Sequence, residues 1–203
     1  MEYGSGGKDM SQPNQLSALS ITDNIDLSKL KKETQDYFSE CEEKLGFVPN
    51  VLIAYAHDET KLDQFMGFYN NLMLNESGLS KLEREMIAVV VSSYNRCYYC
   101  MVAHGAAVRH LSKDPMLGEL LVMNYRSAEL SDRHKAMLDF AWKLSEEPER
   151  MDDDDRNNLK RNEFNDQDIW DIAAVTSFYN MSNRMALAID LMPNTGYHQK
   201  ARG

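Results

Sequence analysis

Cys97 and Cys100 form a Cys-x-x-Cys, His104 follows four residues after the second cysteine, and Glu85 stands twelve residues before the first. Two thiols, an imidazole and a carboxylate are the parts needed for thiol redox chemistry with proton transfer. On a helix, at about 100° per residue, Cys100 lies about 60° from Cys97 and His104 about 40° from Cys100, so the three share a face. Cys100 and His104 are then i, i+4 neighbours, and the ring can take the thiol proton. A single straight helix would leave Glu85 roughly 18 Å from Cys97 along its axis. If the chain instead turns back at Tyr94-Asn95, residues equidistant from the turn face each other, and Glu85 and His104 are such a pair. This spacing predicts a relay from Glu85 to His104 to Cys100, in which the carboxylate orients the ring.

Two arguments bear on which thiol attacks. A helix N-terminus lowers a thiol pKa, and Cys97 is nearer that end. The histidine is placed for Cys100, and a positioned base also handles the proton of the reaction. Cys100 is the expected nucleophile and Cys97 the resolving partner.

The elements that must position these groups all read as helices. Leu27, Leu30, Thr34, Tyr37, Cys41 and Leu45 recur every three or four residues, and Gly46 follows as a stop signal. A turn over 47–50 leads to a short apolar segment, 51–56, and then to a helix with Leu62, Phe65, Met66, Tyr69, Leu72 and Met73 on one face. Ser80-Lys81-Leu82-Glu83 fits a capping box, so a helix should run from about Ser80 to about Ser93. Asn95 is the candidate N-cap of the next helix, over 96–111. Further helical patterns cover 115–125, 131–145, 153–162 and 166–191, and no stretch alternates as a strand would. The expected class is all-α. An echo between 79–86 and 130–137, each opening a helix after a polar turn, reads as a duplicated helical unit or as chance. Residues 1–14, rich in Gly, Ser and Gln, read as a disordered tail, and 15–203 as a single helical domain.

Composition narrows the classes. The 203 residues carry 22 Lys and Arg against 32 Asp and Glu, a net charge of -10, which argues against nucleic-acid or anionic-membrane partners. No apolar run reaches the roughly 20 residues of a membrane span, and the N-terminus lacks a signal-peptide pattern. Three cysteines, two of them in a Cys-x-x-Cys, do not make a secreted disulfide framework, so a reducing cytoplasm is the simplest home.

Glu85-x11-Cys97-x2-Cys100-x3-His104, with Asn95 two before the first cysteine, resembles the alkylhydroperoxidase D (AhpD) core of the carboxymuconolactone decarboxylase-like family. The likeness extends to 45–50 (Leu-Gly-Phe-Val-Pro-Asn), to Leu79-Ser80-x-x-Glu83-Arg84-Glu85 and to Met192-Pro193-Asn194, as in its peroxidase-related branch. It covers roughly 20–200. The resemblance implies an AhpD-like all-α fold, homo-oligomers (trimer or hexamer), and reduction of hydroperoxides through a Cys97–Cys100 disulfide, with a dithiol or disulfide reductase as electron donor and no bound cofactor. It gives the attacking role to the second cysteine. One departure stands out: Tyr99 occupies the position where alkylhydroperoxidase D has a second histidine. The cysteine pair separates this chain from the true decarboxylases, which lack it.

Other readings compete. Cys97, Cys100 and His104, with Glu85 as fourth ligand, match metal-ligand types, though Tyr98-Tyr99 between the cysteines is unlike a structural zinc knuckle, and no metal is expected. A redox sensor without turnover would use the same cluster. Glu85 could be an ordinary first-turn acid, but Glu83 already fills that role. Cys41 reads as a core residue, and Tyr94, Tyr98 and Tyr99 as candidate pocket residues or packing. His57, His110, His134 and His198 have no partners by spacing. Residues 152–155 read as a solvated helix start rather than a calcium loop.

Overall fold

The computed structural model describes residues 16–202 and contains helices but no strands among them. The expected tail at 1–14 lies outside those residues. The helices are α1 Lys32–Leu45, α2 Asn50–Tyr55, α3 Glu59–Met73, α4 Lys81–Tyr94, α5 Tyr98–Ser112, α6 Leu117–Asn124, α7 Asp132–Glu146, α8 Asp153–Arg161, α9 Asp166–Ala188 and α10 Gly196–Gln199. The first expected helix starts later than its periodicity suggested. A 3-10 turn at Leu27–Lys29 precedes α1, which ends at Gly46 in the left-handed conformation (φ 87°) that glycine adopts without a Cβ penalty. The apolar segment after Pro49 is itself a short helix, α2. None of the described helices is long and apolar enough to cross a membrane.

α4 is the axis of the fold. It packs against α5, α6, α7 and α9, and the side chains of Met86 through Val91 are fully buried. Each large apolar side chain so buried contributes about 1.5–3 kcal/mol, which fixes this helix more firmly than its propensity would. Its start is the expected capping box. The Ser80 hydroxyl accepts from the Glu83 amide, and the Glu83 carboxylate accepts from the Ser80 amide.

Glu83, Arg84 and Glu85 each have a separate task. Glu83 also accepts from Arg133 Nε at 2.9 Å, tying α4 to α7. Arg84 is buried and donates to the carbonyls of Leu72 and Asn75, closing the C-terminal end of α3. Glu85 turns toward α5. The internal echo has a structural counterpart: Ser80 and Ser131 cap α4 and α7 with the same backbone angles, φ -62° and ψ 158°.

Two Pro-Asn segments far apart in sequence clasp each other. Asn50 donates its amide to Asn194 Oδ1 at 2.8 Å and its side chain to the Met192 carbonyl, while Asn194 donates to the Val48 carbonyl. The clasp holds α2 and the C-terminal segment together beside α5. A Cβ on Gly118 would sit 2.7 Å from the Gly105 carbonyl, so only glycine lets α6 approach α5 there.

Candidate functional site

The turn between α4 and α5 sets the position of every reactive group. The Cys97 amide donates to the Ser92 carbonyl and the Arg96 amide to the Ser93 carbonyl, with Arg96 in the left-handed region (φ 56°). This is a Schellman ending with arginine where glycine is usual. Asn95 is therefore the C-cap of α4 and not the N-cap of α5. Its side chain donates to the Val91 carbonyl and to Asn180 Oδ1. The N-cap of α5 is Cys97 itself. Cys97 and Cys100 thus stand in the N-cap and N3 positions, which converge as a capping box does.

The two cysteines are free and buried, with sulfurs 2.8 Å apart and one thiol hydrogen-bonded to the other. They share their protons unevenly. The Cys100 thiol lowers the pKa of Cys97 against the opposing effect of burial, with a smaller contribution from the Cys100 amide. Cys97 and burial push Cys100 up, and the Ser92 hydroxyl pulls it the other way. One sulfur can carry charge while its neighbour donates to it.

Glu85 and His104 meet across the hairpin. Nδ1 of His104 donates to Glu85 Oε2 at 2.7 Å, with both side chains largely buried. The contact forms although the hairpin is centred on Arg96 and not between Tyr94 and Asn95. The His104 and Tyr179 rings, the latter from α9, meet in a T-shaped contact, with centroids 4.6 Å apart at 77°. No hydrogen bond joins His104 to Cys100 among the described residues. Both line one cavity of about 400 Å³.

Of the three tyrosines singled out, Tyr99 lines this cavity, Tyr98 lines a separate groove with His198 and Arg202, and Tyr94 lines neither. Tyr94 packs edge-on against Trp142. Tyr98 is 40% exposed and reaches His198. Tyr98 lies about 200° round α5 from Cys100, on the face turned away from the chamber. Tyr99, at the position where the resembled family has histidine, accepts from the Val51 amide at 3.2 Å and joins α5 to α2. Cys41, expected in the core, is half-buried on the cavity wall, and burial raises its pKa. Among the histidines expected to lack partners, His134 lies 3.8 Å from Glu83 Oε1 and His57 Nδ1 meets the Ala54 carbonyl. The acids at 152–155 do form a helix start, an Asp152–Asp155 capping box. No group of three or more His, Cys, Asp or Glu side chains among the described residues is arranged to hold a metal ion.

The sequence reading missed a polar pair beside the dithiol. Ser92 and Asn183 are fully buried and hydrogen-bonded to each other at 3.1 Å, while the Ser92 hydroxyl also reaches the Ala88 carbonyl at 2.6 Å. Asn183 Nδ2 has no partner among the described residues. One hydroxyl proton cannot serve two acceptors. With the amide turned over, Nδ2–H would donate to Ser92 Oγ and its proton deficit would vanish. A serine inside an apolar run was the visible signal for Ser92. Asn183, on α9, offered none.

A model of the carboxymuconolactone decarboxylase family matches residues 62–115. No curated protein matches the chain. Among solved structures, an uncharacterized peroxidase-related protein from Silicibacter sp. TM1040 is 56% identical, covers 95% of this chain and 100% of its own, and superposes with a TM-score of 0.88. An alkylhydroperoxidase AhpD core protein, also peroxidase-related and uncharacterized, from Ralstonia eutropha JMP134 is 38% identical over 93% of this chain and 98% of its own, TM-score 0.89. The debrominase Bmp8, solved with 2,3,4-tribromopyrrole, shares the fold at 18% identity, covering 95% of this chain and 97% of its own, TM-score 0.71. The chain belongs to the carboxymuconolactone decarboxylase family, among its AhpD-like, peroxidase-related members.

Proposed function

We propose that the protein is a thiol-dependent peroxidase that reduces hydroperoxides through a Cys97–Cys100 dithiol cycle, with Glu85 and His104 handling the proton. The observation that carries this reading is the arrangement of the 2.7 Å Glu85–His104 pair and the buried dithiol around one cavity. Cys100 lines that cavity and Cys97 does not, which favours Cys100 as the attacking sulfur. Charge rests more easily on Cys97, so a proton must first pass from Cys100 to Cys97 across the 2.8 Å contact.

The Cys100 thiolate then attacks the outer oxygen of the hydroperoxide. The S–O bond forms, the O–O bond breaks, and the alcohol leaves with a proton delivered from His104. Cys100 is now a sulfenic acid. Cys97 condenses with it, releasing water and forming the disulfide, and a dithiol donor or disulfide reductase restores both thiols. The cycle itself requires no bound cofactor, and its reducing step suits the cytoplasm.

Exposed apolar side chains support assembly into a homo-oligomer, trimer or hexamer. Met123 is 81% and Trp170 72% exposed, with Met181 and Met185 also outward on α9. The decisive experiment is hydroperoxide consumption by the wild type and Cys100→Ser with dithiothreitol as reductant. Turnover in the wild type and none in the variant is expected. Equal consumption by both would remove the reading.

A further inference from the structure

The cavity is much larger than the smallest hydroperoxide needs. Its roughly 400 Å³ is the space of about a dozen waters at about 30 Å³ each. Its wall is dominated by rings: Phe65, Tyr69, Tyr99, Phe178, Tyr179 and Tyr197 all line it. Glu40 and Lys44, exposed at its rim, form an ion pair with each other, and Lys81 is the other charged residue in the lining. Apolar walls with a few polar groups are the usual make-up of a small-molecule chamber.

One residue of this wall carries a polar atom that is unaccounted for. The Tyr179 hydroxyl is buried and has no hydrogen-bond partner among the described residues. Such an orphan costs stability, and a bound acceptor would repair it. Desolvation, helped by Glu85, raises the Tyr179 pKa well above its usual value, so the phenol keeps its proton and remains a donor. The same ring packs on His104, and Cys100 and His104 line the same chamber.

We propose that this cavity binds a compact aromatic molecule carrying one hydrogen-bond-accepting oxygen, and that Tyr179 Oη–H is the donor that grips that oxygen beside Cys100 and His104. Ring faces and edges in the wall suit an aromatic body, which can stack or meet them edge-on. The inference rests on the peroxidase reading in one respect: the gripped oxygen is the one that becomes the departing alcohol. Tyr179 is otherwise a binding residue.

The test uses a ligand that cannot react. Reduced wild type and Tyr179→Phe are titrated with 2-phenyl-2-propanol, and with isopropylbenzene, which has the same ring without the hydroxyl, following protein amide shifts by NMR. The alcohol should bind wild type about fivefold more tightly than Tyr179→Phe, the worth of one neutral hydrogen bond. Isopropylbenzene should not distinguish the two. Bound alcohol should also slow alkylation of Cys100 by N-ethylmaleimide. Equal affinity of the alcohol for both proteins, or binding that leaves Cys100 alkylation unchanged, would overturn the proposal. So would hydrogen peroxide turnover with no affinity for the alcohol, which leaves the peroxidase reading intact. Tyr179-dependent binding in a protein that consumes no hydroperoxide would support the proposal and remove the peroxidase reading.

Discussion

Glu85 accepts a hydrogen bond from Nδ1 of His104 at 2.7 Å, across a hairpin whose helices are separated only by Asn95, Arg96 and Cys97. The bond fixes the tautomer: with Nδ1 protonated and held, Nε2 is the nitrogen left to exchange protons. Glu85→Gln preserves the shape and the hydrogen bond but removes the charge. Hydroperoxide turnover should fall about 10²–10⁴-fold at neutral pH, the usual range for lost acid–base help. The deficit should narrow at high pH, where the thiol ionises unaided. Wild-type rates at neutral pH would make the carboxylate scaffold.

The two cysteines should separate in single-turnover experiments. Cys97→Ser retains the cavity-facing sulfur and should reduce one equivalent of hydroperoxide, stopping at a sulfenic acid that a dimedone probe traps. Cys100→Ser should trap nothing. The reverse pattern would assign attack to Cys97, following the lower pKa of that thiol rather than access.

These outcomes bear on what the sequence could disclose. The Glu85–His104 pairing was legible from the expectation of a helical hairpin, although the turn is centred on Arg96 and the two residues are not equidistant from it. The Ser80 cap was legible because Glu83 completes its box three residues on. The start of α5 was not, because the left-handed position that ends α4 holds Arg96 instead of the expected glycine. Asn95 suits either end of a helix, and only the hydrogen bonds decide. Tyr179 and Asn183 come from α9, brought beside α5 by packing that no local pattern encodes. The clasp of Asn50 with Asn194 joins two motifs whose resemblance was visible but whose contact was not.

Ser92 offers a test of the buried polar pair. Its hydroxyl pulls the Cys100 thiol down, against Cys97 and burial, which push it up. Ser92→Ala should therefore shift the pH dependence of Cys100 alkylation, measured in the Cys97→Ser background, to higher pH. A thiolate at Cys100 would draw the hydroxyl proton away from the Ala88 carbonyl, so loss of the hydroxyl should slow turnover about tenfold at neutral pH. An unmoved pH profile would leave Ser92 only the structural task of bonding the Ala88 carbonyl.

Glu83 should make the fold acid-sensitive. Burial pushes its pKa up, but the Ser80 amide and Arg133 outweigh burial and hold it below the usual glutamate value. A depressed folded pKa means that the stabilisation is complete above the unfolded value of about 4.3 and is lost as pH falls through the folded one. Glu83→Gln can still complete the capping box, so it isolates the charge. It should lose about 1–2 kcal/mol against wild type in urea denaturation at pH 7. At pH 3 the gap should shrink. A constant gap would place the effect in packing.

Tyr179→Phe should raise stability while impairing function. Its hydroxyl is buried without a partner among the described residues, so removing it relieves a desolvation cost. The gain should be about 1 kcal/mol, or about 2–4 °C in Tm for a chain of this size. Stability withheld at a binding site is expected where a polar group waits for a ligand. Aromatic hydroperoxides should lose kcat/KM in this variant, whereas hydrogen peroxide, which has no aromatic body to fill the chamber, should lose much less. Differential scanning calorimetry of the reduced proteins supplies the first readout and steady-state kinetics with cumene hydroperoxide and hydrogen peroxide the second. A lower Tm in Tyr179→Phe would mean that the hydroxyl already has a partner in solution, and equal losses with both peroxides would mean that it does not discriminate between their bodies.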